Sequence, residues 1–212
     1  MQADKPSHSL RWIAIGDSFS TGEGDTSENG GWIQRTVENF AATGPSIEIL
    51  NYAERGAKIG RVLELQGPQL GQRSEIVSAI AGANDVLERS LMMPQLLEGF
   101  QELVRRSRNS GSLVITSTCP DFFRLRYGSN SKLGSRVRAL NQLIRAEAAA
   151  HGDTLLLETD TVLESNELWC DDRIHPNPEG HEALAASITA LLREWMIGRS
   201  AQSRPNFGYM LG

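Results

Sequence analysis

Ala14-Ile15-Gly16-Asp17-Ser18-Phe19-Ser20 closes an apolar run, Leu10 to Ile15, and breaks it at a glycine. A short apolar run bounded by a turn signal reads as a buried strand, here the first and central one. Beyond it, Gly22, Gly24, Gly30 and Gly31 mark a loop. A serine just past the carboxyl end of a central strand sits where open α/β sheets bind their ligands. A helix starting there would turn unpaired N–H groups towards the hydroxyl and favour negative charge developing beside it. The competing reading is structural, because Asp and Ser are also common helix caps.

Working outward, Gly31 to Ala42 reads as a helix with Trp32, Val37, Phe40 and Ala41 on its inner side. Gly44-Pro45 breaks it, and Ile47 to Tyr52 reads as a second strand leading into Glu54-Arg55-Gly56-Ala57. A short helix over Lys58 to Leu65 ends at Gly67-Pro68, and Ser74 to Ile80 is a third strand. After it comes Ala81-Gly82-Ala83-Asn84-Asp85, then a helix opened by Pro94. Ser112 to Ser117 is a fourth strand, closed by Cys119-Pro120-Asp121. Ser131 or Ser135 opens the next helix, and Thr154 to Leu157 is a fifth strand. Asn177-Pro178 reads as N-cap and first position of a last helix, with Leu184, Ile188, Leu191, Leu192 and Trp195 on its apolar face.

Strands alternating with helices predict βαβ crossovers and a parallel sheet covered on both faces, a three-layer α/β/α sandwich. A chain of 212 residues fits one such domain, expected over residues 1–197, with 198–212 as a loosely ordered tail. The net charge of -5 argues against a nucleic-acid partner, which wants a basic face. No apolar run approaches the roughly 20 residues of a membrane span. The N-terminus lacks the apolar core of a signal peptide, so a cytoplasmic location is expected; a chain trimmed of its leader would look the same. Cys119 and Cys170 are too few for a disulfide framework; each reads as a free, partly buried thiol, with one bridge left open.

Four polar stretches fall beyond strands or before the last helix: Gly16-Asp17-Ser18, Arg55-Gly56, Gly82-Ala83-Asn84-Asp85 and Asp172-Arg173-Ile174-His175-Pro176. The first three share one sheet edge by topology. A serine hydroxyl becomes a nucleophile when a histidine takes its proton, and the histidine needs a carboxylate on its other nitrogen. Asp172 and His175, three apart on a turn, suit that pairing, and Pro176 keeps His175 out of helical geometry. The backbone N–H groups of Ser18 and Gly56 and the amide of Asn84 are the available oxyanion donors.

These motifs, in this order across most of the chain, resemble the SGNH or GDSL hydrolases. The resemblance implies Ser18 as nucleophile, His175 as base, Asp172 as its partner, and Ser18, Gly56 and Asn84 as oxyanion hole. It also implies a flavodoxin-like sheet, a small-molecule ester substrate and no metal or organic cofactor. One departure is Arg173, where the family often has a glycine after the aspartate.

Other residues receive structural readings. Asp17 braces its loop, Asp85 is a cap, and His181 is a partly exposed structural residue of the last helix. Trp12, Trp32 and Trp169 belong to the core, while Arg124 and Arg126 are candidates for an anionic acyl or phosphate group. The expected activity is therefore ester, thioester or O-acetyl hydrolysis, with a lean towards short acyl groups. Two rivals stand beside it: a non-catalytic binding module, and a metal-dependent phosphoesterase on Asp17, Asp85, Asp172 and His175. Oligomeric state is left open.

Overall fold

The structure is a computed structural model describing residues 9–28, 30–41, 44–120 and 132–202. Strand β1 (Leu10–Gly16) is buried continuously from Trp12 onwards, on both faces at once. That pattern requires cover on both sides, which a parallel sheet obtains from its crossover helices. Four more strands follow: β2 (Ile47–Asn51), β3 (Ser74–Ile80), β4 (Gly111–Ser117) and β5 (Thr154–Leu157). All pairings are parallel, in the order β2-β1-β3-β4-β5. Trp12 stands between Ile49 on one side and Ile76 on the other.

The helices are α1 (Ser18–Thr21), α2 (Trp32–Ala41), α3 (Ile59–Arg61), α4 (Ala83–Val86), α5 (Met93–Ser110), α6 (Lys132–Ala149), α7 (Thr159–Val162) and α8 (Pro178–Gln202). Helix α2 packs on α8, whereas α5 packs on α3, α6 and strands β3 and β4. The five-stranded, three-layer α/β/α sandwich is thus the architecture found. Trp12 and Trp32 meet in its core with ring centroids 5.9 Å apart. Their polar ends are satisfied: Trp12 Nε1–H donates to Ser78 Oγ at 2.9 Å and Trp32 Nε1–H to the Phe19 carbonyl at 2.9 Å.

Several local expectations change. The inner face of α2 is Trp32, Ile33, Thr36 and Phe40, whereas Ala41 is exposed. Val37 is half-buried and packed against the core, so the departure is confined to Ile33 and Thr36, which are buried, and Ala41, which is not. Beyond α3 the chain does not stop at Gly67-Pro68. It widens into a π turn, Val62–Gln66, then tightens into a 3-10 turn, Gly67–Gly71, whose first positions accept a proline. Helix α6 already begins at Lys132, so Ser135 is inside it, and Ser131 lies outside the described residues. Helix α8 runs to Gln202, past the boundary expected at residue 197. Residues 203–212, and Arg124 and Arg126, lie outside the described residues. Among the described residues no helix is long and apolar enough to cross a membrane.

What matters for the site is the sheet order. The chain leaves β1 towards β2 on one side and continues from β3 towards β4 on the other. The carboxyl ends of β1 and β3 therefore flank the crevice that such a reversal opens.

Candidate active site

Ser18 lies two residues past the end of β1 and is the first residue of α1. Asp17 caps that turn, its Oδ1 accepting the Phe19 N–H at 3.0 Å, so the structural reading of Asp17 holds. The preceding residue, Gly16, is clamped by a side chain that no motif flagged. The amide of buried Gln66 accepts from Gly16 N–H at 2.7 Å and donates to Gly16 O at 3.0 Å. The π turn is what delivers Gln66 to the end of β1.

From the other end of the chain, Asp172 and His175 arrive on a tight turn before α8. Asp172 Oδ1 accepts the N–H groups of Ile174 at 2.8 Å and His175 at 3.0 Å. Its Oδ2 meets His175 Nδ1 at 2.7 Å, and His175 Nε2 lies 3.1 Å from Ser18 Oγ. Burial pushes the Asp172 carboxyl up, but those two backbone donors and the imidazole outweigh it and hold it below its ordinary value. Asn177 fixes the turn to the helix: its Oδ1 accepts Gly180 N–H at 2.9 Å, the N-cap expected of it.

The turn contains a strained residue. Arg173 has φ +57°, the one positive value among described non-glycine residues. This is the position where a glycine was noted as common, and the left-handed backbone explains why. The conformation costs about 1 kcal/mol or more with a side chain, part of which glycine returns through the entropy of the unfolded chain. Arg173→Gly is expected to stabilise the protein by up to about 1 kcal/mol, read as a higher urea midpoint with an unchanged slope. A lowered midpoint would show that the Arg173 bond to Asn166 O, 3.2 Å long, matters more than the backbone.

Ser18, Gly56, Asn84 and His175 border one pocket of about 200 Å³. Its walls are mostly apolar, from Phe19, Ile80, Ala83, Leu87, Pro120 and Ile174. Gly56 has φ +73°, and a Cβ there would meet nothing within 4 Å, so the space over its backbone is open. Asn84 is placed differently from a waiting donor. Its Nδ2 donates to Ala57 O at 3.1 Å and to Asp17 Oδ2 at 3.3 Å, which engages both of its protons. Asp85 Oδ2 accepts the Ile59 N–H at 3.1 Å, a structural cap.

His181 departs from expectation. It is fully buried, its Nδ1 accepting the Trp32 N–H at 3.2 Å and its Nε2–H donating to Glu23 O at 3.0 Å. Burial holds it below the ordinary imidazole range. Helical periodicity could not show this, because α2 and the loop after Ser18 supply the cover. That loop is also braced by Asp25 and Arg35, 2.7 Å apart, and by Glu23 and Arg55, 3.1 Å apart. Cys119 and Cys170 are not joined to each other, so the bridge left open is not formed. Among the described residues no three His, Cys, Asp or Glu side chains form a metal-holding group; Asp172 and His175 face each other instead.

The fold has counterparts among solved structures. A lipase from a goat rumen metagenome superposes with a TM-score of 0.68 at 17% identity, covering 85% of this chain and 96% of that one. An enzyme from the metagenome of Lake Arreo gives 0.70 at 21%, covering 85% and 94%. An acetylxylan esterase of Geobacillus stearothermophilus gives 0.69 at 20%, covering 87% and 93%. No curated protein matches the sequence. A family model does, over residues 14–183, a span reaching from the end of β1 through Ser18 and His175 into α8. The chain therefore belongs to the GDSL-like lipase/acylhydrolase family and is a hydrolase of ester bonds.

Proposed function

We propose that the chain is a serine esterase acting through an acyl-enzyme on Ser18. The observation that carries this is the unbroken relay from Ser18 Oγ to His175 at 3.1 Å and on to Asp172 at 2.7 Å, at the edge of an apolar pocket. With Asp172 ionised, Nδ1 of His175 keeps its proton and Nε2 offers its lone pair to the serine hydroxyl. Attack of Ser18 Oγ on the acyl carbon transfers the hydroxyl proton to Nε2. The imidazolium formed is stabilised by Asp172. The acyl oxygen takes on charge beside the N–H groups of Ser18 and Gly56 and the amide of Asn84. His175 then gives the proton to the departing alcohol or thiol. A water, deprotonated by the same nitrogen, releases the acid.

The pocket supports a small acyl group. An apolar cavity of roughly 150 Å³ takes up benzene, so one slightly larger suits chains of up to about six carbons. In a p-nitrophenyl ester series, kcat/KM is expected to be highest from acetate to hexanoate and to fall by about tenfold or more at dodecanoate. A fluorophosphonate should label the protein once, on the peptide containing Ser18. Turnover without such an adduct would refute the acyl-enzyme, and the absence of both would favour a binding module.

A further inference from the structure

Asn84 presents a problem for the esterase reading, on which this inference rests. Its amide has two protons, and both are engaged, one on the fixed backbone carbonyl of Ala57 and one on Asp17. To stabilise an acyl oxygen it must release or share one of them. The proton on Asp17 is the one available, because that contact, at 3.3 Å, exceeds the usual range for an N–H···O bond. Asp17 is itself 2% exposed and immediately precedes Ser18. We propose that Asp17 is a positioning residue that aims the Asn84 amide, and that its charge decides whether that amide serves the acyl oxygen. A neutral Asp17 accepts weakly and lets the proton swing towards substrate. An ionised Asp17 holds the proton by a charge-assisted bond and repels the charge developing on the acyl oxygen.

The surroundings make this charge switchable. Burial, reinforced by the like charge of Asp85, pushes the Asp17 carboxyl up to about 7, against the pull of Phe19 N–H and Asn84. From β3 the contact is a backbone one, Asp17 N–H to Ile80 O at 3.2 Å. From α4 the titratable neighbour is Asp85, and beyond it lie Lys58 and Glu88, paired with each other. His175 faces the same pocket from the turn before α8, and Arg55, paired with Glu23, borders its mouth.

The test is the pH dependence of kcat for p-nitrophenyl acetate from pH 5 to 9.5, with folding checked by thermal melting. The unaltered enzyme should show an acid limb that does not depend on Asp17. It should also show an alkaline limb near pH 7 to 8, approaching tenfold loss per pH unit. Asp17→Asn should retain the acid limb and lose the alkaline one. A purely structural role would lower kcat or melting temperature without moving either limb. If Asp17→Asn does not fold, Asp85→Asn serves, since removing the like charge should move the alkaline limb to lower pH. An alkaline limb unchanged in both variants, or absent from the unaltered enzyme, overturns the proposal. Ser18→Ala separates the two readings: if it retains activity, the esterase reading fails whatever Asp17 does.

Discussion

Ser18→Ala is expected to lower kcat/KM for p-nitrophenyl acetate at least a thousandfold while leaving the melting temperature within a few degrees. Among the described residues the hydroxyl's side-chain hydrogen bond is to His175, so its removal strips the proposed nucleophile and little packing. The informative comparison is with the double variant Ser18→Ala/His175→Ala. Residues acting as a unit are non-additive, so the second substitution should cost almost nothing further. Asp172→Asn should cost less, roughly 10²–10³, because the Asp172 side chain is 46% exposed and water partly replaces it. Additive losses across the pair would mean that Ser18 and His175 act separately, and the relay would lose its meaning.

Gly16→Ala should have the largest effect on stability. Gly16 has φ +142°, and a Cβ there would stand 2.0 Å from the Ile80 carbonyl oxygen. That oxygen is backbone and already accepts the Asp17 N–H, so no side chain can swing aside to relieve the clash. Carbon and oxygen normally approach to about 3.3 Å, so the central pair of strands must part by about 1 Å. Backbone strain and overpacking, each about 1–3 kcal/mol, together give a loss of about 4 kcal/mol. For a chain of this size that corresponds to a melting temperature lower by roughly 8–16 °C. A drop of less than about 4 °C would show that β1 has slack at its end, and that Ser18 is held less rigidly than the Gln66 clamp implies.

These positions also show what a sequence discloses. Buried parallel strands announce themselves because both faces must be apolar, and β3 and β5 have the bounds expected of them. The polar stretches at strand ends were legible because topology alone gathers them on one edge. Gln66 was not, because its role depends on a π turn, which leaves no periodic trace. His181 was misjudged because a helix's own spacing says nothing about which loop covers it. Asn84 could be singled out as a candidate donor, but its engagement by Ala57 and Asp17 was invisible, since both partners come from distant segments. Contacts within an element can be read from its pattern; contacts between elements need the coordinates.

Ser18 and His175 are separated by 157 positions in the chain and meet where the turn before α8 reaches the end of β1. Most of the fold can be assembled before that contact exists: the fifth strand is complete by Leu157, ahead of the Asp172 turn. A chain that had formed the sheet but not this turn would therefore hold Ser18 without its histidine. On the proposed mechanism Ser18 becomes reactive only when the turn before α8 reaches it, so turnover would report that this one long-range contact has formed.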